Sequence, residues 1–225
     1  LKRLGESSNE YEGIKIAGNT FDYPFIHGKA IQAIGGYSFT SCSDEAVENG
    51  SVALEEYPIA DYILGLEKTD DNLSRATYYK TFSSSMQRAL GGNLLVSGAY
   101  IGSDMNDSQG NREFTQNILK YRFDSSLQVS GEHIGIQGLG RILSIPRLPN
   151  ERAYPVTAPD CIRPMATAFP VMTYTEGNLP AAIAYKGNDY RTFIMSFPFE
   201  SIREEAGRTA VMASILHFFS ADNAG

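Results

Sequence analysis

From Gly13 to Tyr121 short apolar runs alternate with amphipathic stretches, and this rhythm constrains the fold more than any other feature of the chain. "GIKIAGN" reads as a strand, "IHGKAIQAIG" as a short helix closed by Gly35-Gly36, and "YSFTSCS" as a second strand. In "SDEAVENG", Ser43 can cap a helix, Asp44 and Glu45 suit its positive N-terminus, and Gly50 can supply a left-handed C-terminal residue. "ADYILGLE" is the next strand. "SSSMQRALGG" then places Ser84 and Gln87 at capping-box spacing and stops at Gly91-Gly92, just before the strand in "NLLVSGAY". "REFTQNILKY" puts Phe114, Ile118 and Tyr121 on one helical face. Strand and helix in this alternation predict a parallel sheet with helices on both sides.

The rhythm changes after Phe123. "EHIGIQ", "RILSIP", "FPVMTYT" and "AAIAYKG" are short β-prone pieces separated by Gly, Pro and Asn, which reads as antiparallel strands inserted late in the fold. "YRTFIMSFPFE" is a buried strand. In "SIREEAGRTAVMASILHFF", Ser201 and Glu204 have capping-box spacing, and Met212, Ile215, Leu216 and Phe219 make a core-facing stripe. The expectation is a three-layer, flavodoxin-like α/β fold: a mainly parallel sheet with an antiparallel extension. It is read as one domain over 1–225, with a β-α-β core at 22–122, a β-rich insertion at 123–190, and a final strand and helix at 191–220.

Charge narrows the partners. The formal net charge is -7, with no block of like charges, so no electrostatic footprint for nucleic acid is present. An anionic polymer is repelled overall unless a local basic pocket receives it. Arg141, Arg147, Arg152 and Arg163 form the arginine-enriched stretch and read as solvated surface. No run approaches the roughly 18 apolar residues of a membrane span, so no membrane insertion is expected. The chain opens on Leu1 without a signal-peptide core, which reads as a mature or excised piece.

Cys42 and Cys161 lack metal or redox spacing; each reads as a small buried hydrophobe, or the two as a long-range disulfide in an exported protein. His27, His133 and His217 are dispersed, and no metal site is expected. No cofactor is expected either: "GIQGLG" has its glycines in the wrong order for a dinucleotide fingerprint, no long helix follows it, and no phosphate-binding loop occurs.

Three residues are weak catalytic candidates: Ser97, His27 and Glu200. Ser97 follows a strand, where α/β hydrolases keep a nucleophile, but the G-x-S-x-G positions hold Leu95 and Ala99. The competing reading is a strand-end serine bonded to backbone. His27 falls near the carboxyl end of the sheet, where ligands of open α/β folds bind, or is a helix-start histidine satisfied by hydrogen bonds. Ser97, Gly98, Tyr100 and Asp104 are expected to line a ligand pocket at that edge, with His27 and Glu200 nearby, because helix N-termini and backbone N–H groups converge there.

"DYPFIHGKAIQ", "YSFTSCSDEAVENG", "DYILGLEK", "GGNLLVSGAYIGSD" and "SFPFESI" together resemble secreted Bacteroidetes proteins labelled xanthan lyase, some of which carry a golvesin-like domain. The layout more distantly resembles the class I glutamine amidotransferase-like superfamily, including its ThuA-like and β-galactosidase accessory domains. Enzymes there use a cysteine on the elbow after a central strand and a His-Pro-Glu segment later. Here the elbow reads Ser97-Gly98-Ala99 and the late segment Phe197-Pro198-Phe199-Glu200, so Glu200 matches the glutamate while cysteine and histidine are absent. The resemblance implies an extracellular or periplasmic, non-catalytic scaffold: an accessory domain of a carbohydrate-processing protein, binding polysaccharide or a neighbouring domain. A polysaccharide lyase, or a hydrolase using Ser97, is the alternative.

Overall fold

The computed structural model describes residues 23–43, 46–47, 49–66, 92–148 and 154–221. Helix α1 (Tyr23–Ile34) comes first. Strands β1 (Ile59–Gly65) and β2 (Asn93–Gly98) follow. Helix α2 (Gln109–Phe114) widens into a π turn at Thr115–Leu119. The next strands are β3 (Tyr121–Ser126), β4 (His133–Gly138), β5 (Arg141–Pro146) and β6 (Asp160–Pro164). Strands β7 (Phe169–Tyr174), β8 (Pro180–Lys186) and β9 (Arg191–Met195) precede helix α3 (Glu205–Ser220).

Seven strands form one sheet in the order β1-β2-β9-β8-β7-β4-β5, and β3 pairs with β6 in a separate ribbon. β2 sits between two parallel neighbours, β1 and β9. Its near-continuous apolar sequence follows from burial on both faces. Leu95, Phe193 and Met195 join Val211, Ile215 and Phe219 of α3 in one core. Leu94, Val96 and Ile194 join Phe114, Leu119, Tyr121 and Ile162 in another. Because side chains alternate along a strand, these two cores lie on opposite faces of the sheet. The fold is therefore mixed α/β, with helices α1 and α3 over one face and α2 with the β3–β6 ribbon over the other.

The expected antiparallel extension after Phe123 is present in β4, β5, β7 and β8. The expectation of a mainly parallel sheet needs correction for the described residues. Two of its strand pairings are parallel and four antiparallel. The β8–β9 pairing shows one cause: the chain turns back tightly between them, with Gly187 N–H donating to the Tyr190 carbonyl, and a tight turn can join only antiparallel neighbours.

Tyr37–Ser43 has the alternation of a strand but forms no strand in the structure. Its Phe39 ring lies on α1 instead, so close to Gly28 that a Cβ there would come within 2.2 Å of the ring. The capping box expected at Ser201 and Glu204 also does not form. Ser201 Oγ donates to the Pro198 carbonyl within a short 3-10 turn, and α3 begins later, at Glu205. Its stripe of Met212, Ile215, Leu216 and Phe219 is buried as expected. Gly35 and Gly36, at φ 76 and 79, end α1 in the left-handed region that favours glycine. The predicted strand "GIKIAGN", nearly all of the predicted helix "SSSMQRALGG", and Asp44, Glu45 and Glu48 of "DEAVENG" lie outside the described residues, while Gly50, at φ 78, takes the left-handed conformation expected of it.

Candidate functional site

Tyr23, His27 and Ala30 recur at helical spacing, and all three are buried where α1 meets the sheet. That stripe delivers an imidazole to the side of β1 that carries Asp61. Asp61 projects from β1 toward it, and Nδ1 of His27 lies 2.7 Å from Asp61 Oδ2. On the other side of the ring, Nε2 lies 3.1 Å from Oε2 of Glu200, which the turn after β9 carries in. Tyr154 donates its hydroxyl to Glu200 Oε1 at 2.6 Å. The His27 ring also packs on Phe199, with centroids 4.6 Å apart. Gly65 closes the cluster, since a Cβ at that position would lie 3.4 Å from Glu200 Oε1.

The side chains of His27 and Glu200 are 2% and 1% exposed, and that of Asp61 is 20% exposed. Burial alone lowers the His27 pKa. The charge and hydrogen bond of Asp61, reinforced by those of Glu200, outweigh burial and raise it to about 9. Both ring nitrogens thus lie within hydrogen-bond reach of a carboxylate, an arrangement that a doubly protonated ring satisfies. In that form the ring offers no lone pair to a general-base step. Burial, followed by the Glu200 charge, pushes the Tyr154 phenol well above its ordinary value. The cluster thus ties α1, β1, the segment after β5 and the turn before α3 together through charge-assisted bonds.

The structure joins His27 and Glu200 directly, as the sequence expectation placed them near one another. The remaining candidates behave differently. Ser97 is fully buried in β2 between Ile63 and Met195, and its Oγ has no hydrogen-bond partner. It is therefore neither paired with a base nor bonded to backbone. Gly98 does give a close approach, but to protein: a Cβ there would lie 2.8 Å from Leu64 and 3.0 Å from Ile101. Tyr100 and Asp104 are half-buried in the loop beyond. A shallow depression on the surface is lined by Gln137, Gly138, Arg141, Ile142, Val171 and Met172. These residues belong to β4, β5 and β7, at the opposite margin of the sheet from β1.

Sequence reasoning missed three members of the polar framework. Asp61 carried a usable signal, a carboxylate inside the apolar run of "ADYILGLE". Tyr154 carried none. Asp160 is 0% exposed and fills the turn after β2: its Oδ2 accepts the Gly102 and Ser103 backbone N–H groups at 2.9 and 2.6 Å. Cys161 is buried and Cys42 exposed, so only Cys161 fits the buried-hydrophobe reading. Burial is the main cause that pushes the Cys161 thiol up to about 11. No described helix is long and apolar enough to cross a membrane.

No protein-family model matches the chain, and no curated protein matches it. Among solved structures it is similar to Gan42B, a GH42 β-galactosidase, at a TM-score of 0.57 and 11% identity, covering 92% of this chain and 27% of that one. It is also similar to the cytoplasmic protein STM3548 of Salmonella typhimurium, at a TM-score of 0.50 and 15% identity, covering 86% and 85% of the two chains. The chain thus spans 27% of the β-galactosidase's length. At these identities the likeness is one of fold.

Proposed function

We propose that this chain is a non-catalytic accessory domain of an exported carbohydrate-processing protein, built on the three-layer, flavodoxin-like scaffold of the class I glutamine amidotransferase-like superfamily. The observation that carries the reading is the commitment of His27. Both its ring nitrogens are held by carboxylates, while Ser97 is buried in β2 without a partner. Nucleophilic catalysis by serine requires a hydroxyl within reach of an unprotonated base. Losing that pairing costs several orders of magnitude in rate.

Two further observations support the reading. The three parallel strands β1, β2 and β9, with helices α1 and α3 on one face, fit the core of such a scaffold. The match to part of a larger β-galactosidase supports a domain that works beside others. Export rests on the sequence resemblance to secreted proteins, since a similar fold occurs in a protein described as cytoplasmic. The resemblance to proteins labelled xanthan lyase fits shared ancestry and context.

Incubation of the purified protein with xanthan, followed by ultraviolet absorbance of unsaturated uronate, tests this directly, alongside release of nitrophenol from chromogenic glycosides and esters. The expected result is no turnover above buffer. Turnover abolished by Ser97→Ala or by His27→Gln would overturn the proposal.

A further inference from the structure

Asn49 and Gly50 are the chain's single Asn-Gly pair, and with Ser51 they form the exposed tip of a turn. The turn is closed by Val52 N–H, which donates to the Ala46 carbonyl at 2.9 Å. Within it the Asn49 side chain folds back on the main chain: Oδ1 accepts the Ser51 backbone N–H at 2.9 Å and the Ser51 hydroxyl at 2.5 Å. The first of these bonds makes an Asx turn. The hydrogen-bonded ring that it closes contains both Cγ of Asn49 and the backbone nitrogen of Gly50, so the two are held on the same side of the turn. Two donors on one amide oxygen also draw electron density away from Cγ. Gly50, at φ 78, has no side chain to screen its nitrogen, and even a Cβ there would meet nothing within 4 Å.

We propose that Asn49 is a site of spontaneous deamidation, with the Gly50 nitrogen as the nucleophile and Ser51 as the group that promotes its attack. The Gly50 N–H gives its proton to solvent and the nitrogen forms a bond to Asn49 Cγ. Charge gathers on Oδ1 in the tetrahedral adduct, where the Ser51 N–H and hydroxyl already point. The bond from Cγ to the side-chain amide nitrogen then breaks, and ammonia leaves with a proton from solvent, which completes a succinimide ring. Water opens that ring at either carbonyl. One opening gives aspartate; the other gives isoaspartate, whose main chain runs through the former side chain. The balance is one water consumed and one ammonia released. The Gly50 N–H bond to the Val47 carbonyl, at 3.2 Å, must open first, and at an exposed turn water can replace it. Each event makes the chain one charge more negative than -7. The isoaspartate product also adds a carbon to the main chain between Ala46 and Val52, the two residues whose bond closes the turn.

The purified chain, kept at neutral pH and physiological temperature in water enriched in the heavy oxygen isotope, tests this by peptide mapping. The isotope marks conversion during storage, and fragmentation that cleaves the main chain separates isoaspartate from aspartate. Asn49 should convert at least about tenfold faster than the exposed Asn106 and Asn178, whose following residues carry a Cβ, and isoaspartate should exceed aspartate. Ser51→Ala, an exposed substitution that should leave the melting temperature unchanged, should slow conversion about threefold or more, the worth of one hydrogen bond. Gly50→Ala should slow it further. Conversion of Asn49 no faster than that of Asn106 overturns the proposal, as does aspartate as the sole product, which would signal direct hydrolysis. A Ser51→Ala variant that converts as fast as the wild type, or faster, overturns the promoting role of Ser51 and shows that its bonds restrain the side chain instead.

Discussion

Asp160 is bound to Ser103 twice through a single carboxylate oxygen, Oδ2, which accepts the backbone N–H at 2.6 Å and the hydroxyl at 2.9 Å. Gly102 N–H reaches the same oxygen. Converging N–H groups in the loop after a central parallel strand are what an α/β enzyme offers to an anionic ligand or an oxyanion. Here the chain's own carboxylate occupies them. The turn is thereby fixed.

Removing that carboxylate should cost stability more than any surface change. Asp160→Ala leaves the Gly102 and Ser103 N–H groups without their acceptor, while the Ser103 hydroxyl keeps the Tyr100 carbonyl, and the expected loss is about 3 kcal/mol, at the upper end for charge-assisted bonds. Asp160→Asn keeps the shape and one acceptor oxygen, so it should lose about half as much. Urea titration of both variants checks the order. An Asp160→Ala variant as stable as the wild type would mean that the turn stands without its anchor.

The raised pKa of buried His27 makes stability depend on pH in a definite direction. The folded pKa of His27, about 9, lies above the ordinary 6.5, so the folded state holds its proton more tightly. The stabilisation is fully present below about pH 6.5 and is lost as pH rises through about 9. A shift of this size corresponds to about 3 kcal/mol. Unfolding free energy measured from pH 6 to pH 10 should fall, and the difference between wild type and His27→Gln should shrink over the same interval. A difference that stays constant across that range would show that His27 does not titrate between its two carboxylates.

Glu200 receives both His27 and Tyr154, so their contributions should be coupled. Glu200→Gln removes a charge from a buried cluster, with an expected cost of about 3 kcal/mol. Tyr154→Phe alone should cost about 1 kcal/mol through its lost hydrogen bond. In the double variant the two effects should fall short of their sum by about 1 kcal/mol, because the shared bond can be lost only once. Strict additivity would remove Tyr154 from the cluster.

Much of the fold was legible because its signals are local. The apolar run of "NLLVSG" gave β2, the Gly-punctuated pieces after Phe123 gave the antiparallel strands, and the stripe from Met212 to Phe219 gave the inner face of α3. What failed depended on partners distant in sequence. Tyr37–Ser43 has a strand's alternation, but alternation says nothing of whether a neighbour exists, and Phe39 found Gly28 of α1 instead. The parallel sheet was over-extended for the same reason, since pairing direction is set by the tight turn after β8. At the site, His27 and Glu200 were picked out separately, one by position after a predicted strand and the other by resemblance. Their contact spans 173 residues of chain and had no local trace. Asp160 was missed because the donors that reach its carboxylate lie in a loop 57 or 58 residues earlier.

Ser97 supplies the sharpest separation between a kept scaffold and a kept catalyst. Its hydroxyl is buried and makes no hydrogen bond, so the folded protein bears the cost of desolvating it without compensation. Ser97→Ala removes that cost and leaves only a small void. The substitution should therefore raise stability by up to about 1 kcal/mol, whereas a typical core substitution lowers it. A nucleophile would show the opposite pairing of effects: any stability gained would come with complete loss of turnover. Differential scanning calorimetry on the Ser97→Ala variant, run beside the xanthan and chromogenic assays, reads both. A lower melting temperature would mean that the hydroxyl has a partner in solution, and Ser97 would then be a bonded strand-end serine after all.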